Sequence, residues 1–143
     1  LSDINCALGL SQLKKINYFL KKRKRIYDKY IIELKDFNTF LTIPNYTKNI
    51  KPSYHLFIIN IMFDRIKKNK DNFFNYLNRK KIMGQYHYIP IYKFSCYNEK
   101  SSNFPGSEKY FNNSISIPIY VDLKDKDQKK IIKLIKDYFK KIT

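Results

Sequence analysis

A chain of 143 residues has room for one domain with a real core, but not for two. With 43% hydrophobic and 17% aromatic residues it should fold, and no apolar run approaches the roughly 18 residues of a membrane span. The formal charge of +17 comes from 25 Lys and only 4 Arg. Nucleic-acid readers favour Arg for bidentate contacts. Ile, Asn, Tyr and Phe are also abundant, and Gly and Trp are scarce, so the charge reads as the mark of an A/T-rich gene.

Residues 1–35 read as one long helix. Ser2 is placed to cap it. Ile4, Leu8, Leu13, Ile16, Leu20, Tyr27, Ile31 and Leu34 recur at helical spacing, with lysines mostly opposite. At 1.5 Å per residue it would be about 50 Å long, more than a domain of about 30–40 Å can cover. The stretch 1–13 should therefore overhang, leaving Ile4, Leu8 and Leu13 exposed. Gly9 fits a close approach of another backbone there. Together with the absence of an initiating Met, this leads us to expect a piece of a longer protein.

Residues 36–53, punctuated by Pro44, Asn45, Asn49 and Pro52, read as a loop. The apolar run Tyr54–Phe63 predicts a buried central strand, with His55 a structural residue at its start. Asp64–Asn69 is a turn. Asp71–Lys81 is a helix, with Asn69 as cap and Phe73, Phe74 and Leu77 as inner face. A short strand is expected over Gly84–Tyr88, an irregular stretch to Pro105, a helix over Ser107–Asn113 and a strand over Ser114–Ile117. The last helix is marked by Gln128, Ile131, Ile132, Ile135, Tyr138, Phe139 and Ile142. Asp125 and Gln128 have the spacing of a capping box. The result is an α+β fold: a long N-terminal helix and a small sheet of about three strands, with helices on one face.

Little of this carries recognisable chemistry. Cys6 and Cys96 have no metal-ligand spacing, and no metal site is expected. There is no Gly-rich phosphate loop and no nucleophile–base pair legible from spacing. Asp122, Asp125 and Asp127 read as helix caps. His87, in Gln85-Tyr86-His87-Tyr88-Ile89-Pro90, lies where a strand breaks into a loop, a usual place for sites. On pattern alone its structural and site roles both stay open. The opening residues do not form a secretory leader, so a cytoplasmic location is expected.

The order of motifs says more than any one of them. Ser2-Asp3-Ile4-Asn5-Cys6-Ala7-Leu8-Gly9-Leu10-Ser11-Gln12-Leu13 opens the long helix. Tyr54-His55-Leu56-Phe57, then Gln85-Tyr86-His87-Tyr88-Ile89-Pro90, then Ser114-Ile115-Ser116-Ile117-Pro118 follow. Asp122-Leu123-Lys124-Asp125 opens the last helix. This series resembles the C-terminal part of the DegT/DnrJ/StrS family of sugar aminotransferases. Within the family it is most similar to the branch making UDP-4-amino-4,6-dideoxy-N-acetyl-altrosamine for pseudaminic acid.

The resemblance implies the small C-terminal domain of a type I fold dependent on pyridoxal phosphate (PLP). Residues 1–35 would be the connecting helix and 36–143 the small domain. The cofactor and its Schiff-base lysine would belong to a large domain absent from this chain, so no catalytic or cofactor-binding residue is carried over and the chain alone is expected to be inactive. The family's Gln-x-His-Tyr-x-Pro loop falls on Gln85, His87, Tyr88 and Pro90, which makes His87 and Tyr88 the expected substrate-binding residues. A 4-keto nucleotide sugar, glutamate as amino donor and a homodimer are implied as partners, with no membrane and no specific nucleic acid. Two positions depart from the family. Lys81 stands where a Gly is common, and Lys124 stands where a Thr caps the last helix, a task then left to Asp122 or Asp125. Two other readings are a basic nucleic-acid-binding module, with lysines gathered on one face, and a stand-alone interaction domain without catalysis.

Overall fold

The computed structural model describes residues 2–43, 46, 49–97 and 100–141. Pro44, Asn45 and Ile142, used above as sequence signals, lie outside the described residues. Nine elements follow in order: α1 (Asp3–Leu13), α2 (Ile16–Leu34), β1 (Leu41–Thr42), β2 (Phe57–Ile61), α3 (Lys70–Arg79), β3 (Gln85–Tyr86), α4 (Pro105–Asn113), β4 (Ser114–Ile117) and α5 (Asp125–Lys140).

The expected single helix over 1–35 is two. Ser2 does cap α1, its hydroxyl accepting the Asn5 N–H at 3.4 Å. At Lys15 the backbone tightens: its N–H donates to the Gln12 carbonyl, and the α-helical ladder resumes from Lys15 to Phe19. The physical reason is a lack of support. α1 buries no residue, so no packing holds it on the axis of α2. Ile4, Leu8 and Leu13 are 81%, 60% and 63% exposed, as expected of an overhang. Gly9 has nothing of this chain within 4 Å of where a Cβ would sit.

The sheet has four strands, one more than expected, in the order β1-β2-β4-β3, every pair antiparallel. The added strand is β1, two residues long, whose Leu41 lies opposite Ile61. The strand expected over Tyr54–Phe63 is shorter and is buried completely on one face only. Phe57, Ile59 and Ile61 are fully covered, while Ile58 and Asn60 are half-buried. Neighbouring residues of a strand face opposite ways, so Phe57, Ile59, Ile115 and Ile117 share the core face. Tyr27 and Tyr30 of α2 set their rings 4.9 and 4.7 Å from that of Phe57. Phe73 of α3 meets Tyr138 of α5 at 4.8 Å. Each such side chain is worth about 1.5–3 kcal/mol when fully buried. That outweighs what two-residue ladders like β1 and β3 add at about 1 kcal/mol per hydrogen bond.

Asn69 caps α3 through a reciprocal capping box with Asn72. The box expected at α5 is absent: Lys124 is the cap residue and no side chain caps it, neither Asp122 nor Asp125. Asp125 instead faces Arg25 and Lys29 of α2 at 3.5 and 3.6 Å. Gln128 is buried, its amide donating to the Ile26 carbonyl at 2.7 Å. A buried amide must find an acceptor, and the Ile26 carbonyl supplies it in place of a role at the cap.

Candidate functional site

Registers define a second sheet face opposite the core. Thr42, Asn60, Ser114, Ile58, Ser116 and Gln85 follow one another across it. The Ser-Ile-Ser-Ile alternation of β4 is the sequence trace of these two faces. Here the Asn60 amide donates to Ser114 Oγ at 3.2 Å. Tyr110 of α4 lines a cavity of about 320 Å³ with Thr42, Ile58 and Asn60, so α4 covers this face. The helices were expected on one side of the sheet; α2, α3 and α5 are on the core side and α4 is on the other.

His87 lies beside this second face. Its Nδ1 shares a hydrogen bond with Ser116 Oγ at 3.4 Å, and its ring lies 4.7 Å from that of Tyr88 and 6.2 Å from that of Tyr110. Burial, and secondarily the charge of His55, holds the imidazole below its ordinary pKa. At neutral pH it is a neutral ring with one N–H to give. Tyr88 is 71% exposed. The expected pair therefore sits together at one surface: a half-buried donor beside an open aromatic ring. His55, expected to be structural at a buried strand start, is exposed, with Nδ1 3.0 Å from Ser53 Oγ. The strand begins three residues later than the apolar run suggested.

The loop carrying His87 is braced at both ends. Before it, the Tyr86 ring stacks on Phe74 at 4.4 Å, and its hydroxyl donates to Asp71 at 2.7 Å. Burial together with that carboxylate pushes the phenol up to about 12. The Lys70 ammonium sits over the rings of Tyr86 and Phe111 and donates to the Phe111 carbonyl; burial lowers its pKa. After the loop, Glu108 of α4 accepts from both the Tyr92 hydroxyl and Lys93, each at 2.9 Å. Ser116, Tyr110, Asp71, Lys70 and Glu108 escaped sequence reasoning. Only Ser116 left a signal, in the alternation of β4.

Residues 1–136 match the DegT/DnrJ/EryC1/StrS aminotransferase family. The chain belongs to that family. It is 34% identical over 134 residues to the UDP-4-amino-4,6-dideoxy-N-acetyl-beta-L-altrosamine transaminase of Campylobacter jejuni, covering 90% of this chain and 34% of that protein. Its structure matches that of Helicobacter pylori PseC, an aminotransferase involved in the biosynthesis of pseudoaminic acid. The TM-score is 0.84 at 28% identity, over 99% of this chain and 38% of that one. The PLP form of a Streptococcus pneumoniae protein assigned as a sugar aminotransferase gives 0.87 at 24% identity, over 100% and 37%, a likeness of fold alone. The chain thus spans about a third of the length of the relatives it matches.

The described residues do not fit a PLP site of their own. Such a site needs a lysine for the aldehyde, a carboxylate at the ring nitrogen and a cradle for the phosphate. Lys70, whose charge burial disfavours, is committed to the Phe111 carbonyl and two rings. The cavity that Lys81 lines holds no carboxylate. Among the described residues no cluster of His, Cys, Asp or Glu could hold a metal, and no helix is long and apolar enough to cross a membrane.

Proposed function

We propose that this chain is the small-domain part of a PLP-dependent aminotransferase that moves an amino group, with glutamate as donor, onto a 4-keto nucleotide sugar for glycan synthesis. In this reading residues 1–35 are the connecting helix, broken at Lys15, and residues 36–143 the small domain. A large domain supplies cofactor and Schiff-base lysine, and a homodimer completes the active site in the cytoplasm. The supporting observation is that nearly the whole chain matches about a third of the length of sugar aminotransferases. The exposed apolar residues of α1 fit a missing neighbour.

His87 and Tyr88 are the substrate-facing residues of this reading. The neutral imidazole N–H donates to a sugar or phosphate oxygen, and Tyr88 packs on the ligand. Exposed lysines occur on α2, α4, α5 and the turns between elements, which supports charge spread over solvent faces and not a nucleic-acid groove. Titrating the chain with PLP tests the reading. The expected result is no saturable one-to-one aldimine absorbance, only slow reaction with surface lysines. A single stoichiometric Schiff base would overturn it.

A further inference from the structure

A second cavity opens at the end of the sheet where β2 and β3 begin and β4 ends. The registers bring these ends together, with Phe57 opposite Ile117 and Gln85 opposite Ser116. The cavity measures about 450 Å³, within the range of roughly 300–1,000 Å³ typical of small-molecule sites. Its floor is apolar, made by Ile82, Ile117 and Leu123, each no more than 8% exposed. Its rim carries His55, Lys81 and Gln85, and among the described lining residues there is no carboxylate. Neither His87 nor Tyr88 lines it.

Backbone strain marks the same rim. The non-glycine residues in the left-handed region include Lys81 (φ 58°) and Tyr54 (φ 51°), the latter directly before His55. Lys81 closes α3 in a helix-ending turn: its N–H donates to the Asn78 carbonyl and that of Ile82 to the Leu77 carbonyl. Glycine is the residue that such a turn favours. Lysine strains the turn, and Lys81 lines the cavity; strain of this kind is kept where it positions a side chain. His55 contacts Ser53 through Nδ1, which leaves Nε2 for a ligand.

We propose that this cavity binds a small amphipathic monoanion, an apolar body bearing a single carboxylate. Lys81 pairs with the carboxylate, His55 and Gln85 hydrogen-bond to it, and the body lies on Ile82, Ile117 and Leu123. One ammonium, with the His55 ring and the Gln85 amide as hydrogen-bond donors, matches a single carboxylate. A phosphate dianion is better served by a helix N-terminus or a nest of backbone N–H groups, and none lines this cavity.

The test is an NMR titration of the whole chain with benzoate, alongside acetate, benzyl alcohol and phenyl phosphate. Benzoate should saturate one site, with shifts centred on His55, Ile82, Ile117 and Leu123, and bind at least about tenfold tighter than each of the other three. Lys81→Gly should weaken benzoate about tenfold, the worth of one charge-assisted bond, while raising the melting temperature because glycine suits the turn. A loss of binding in a more stable protein cannot be a loss of fold. Non-saturable benzoate binding, shifts elsewhere, phenyl phosphate binding tighter than benzoate, or unchanged affinity in Lys81→Gly would each overturn the proposal.

Discussion

Replacing Gln128 probes the contact that joins the two ends of the chain. Its side chain is 1% exposed, and its amide donates to the Ile26 carbonyl at 2.7 Å, across 102 residues. That carbonyl also accepts the ordinary α-helical bond within α2, so it is not orphaned when the amide is lost. Gln128→Met keeps most of the volume and should cost about 1 kcal/mol, the net worth of one hydrogen bond. Gln128→Ala removes volume as well and should cost about 2–3 kcal/mol. Gln128→Glu at neutral pH sets a buried carboxylate against a carbonyl oxygen and should cost about 3 kcal/mol or more. Burial raises the folded pKa of the new carboxyl above its unfolded value of about 4.3. Its stability is thus present below that value and lost as pH rises through the raised one. Acid should restore this variant towards the parent, because the protonated carboxyl can donate to Ile26 as the amide did. Denaturant melts across pH read all three; about 1 kcal/mol is a shift of about 3–5 °C for a chain of this size. A Gln128→Glu variant as stable as the parent at neutral pH, or one that loses further ground in acid relative to it, would refute the buried-donor reading.

Two further outcomes are expected. Changing Ile4, Leu8 and Leu13 together to Ser should change the unfolding free energy of the isolated chain by no more than about 0.5 kcal/mol per site, as is usual for surface positions, since all three are at least 60% exposed. A loss on the scale of core variants would mean that α1 packs within this chain. His87 titrates below its ordinary value when folded, so the unfolded chain binds more protons on the acid side of neutrality. Stability from this group is therefore present above the unfolded pKa of about 6.5 and lost as pH falls through the folded one. NMR titration should show the depressed value, and His87→Gln should flatten the acid loss; an imidazole titrating at or above its ordinary value would contradict the burial that causes the shift.

Much of this protein was legible in its residues. The 3.6-residue recurrence of Ile131, Ile132, Ile135, Tyr138 and Phe139 specifies both a helix and its buried side. Asn69 announces a helix start, and the alternation in Ser114–Ile117 separates a core face from a polar one. Each of these is a local preference, set within a turn or two of chain by period or by an orphaned N–H. The exposure of Ile4, Leu8 and Leu13 was legible from length, because the helical stretch is longer than the domain that could cover it. The family resemblance pointed to His87 and Tyr88 as a pair, and their rings lie 4.7 Å apart.

What lay beyond the sequence is the set of relations between distant segments. β1 is two residues held extended by Ile61 and Asn60 across the sheet, so no local pattern marks it. Gln128 has the spacing of a capping partner but is claimed by Ile26, because a carbonyl within 2.7 Å in a dry interface outbids a cap that water can serve. At the break at Lys15, α1 leaves the packed part of the fold with none of its residues buried, and the setting of His87 depends on Ser116 and Tyr110, brought in by β4 and α4. Periodicity determines which elements form and which side they bury; which residues then meet is decided by packing in three dimensions, where chain distance has no weight.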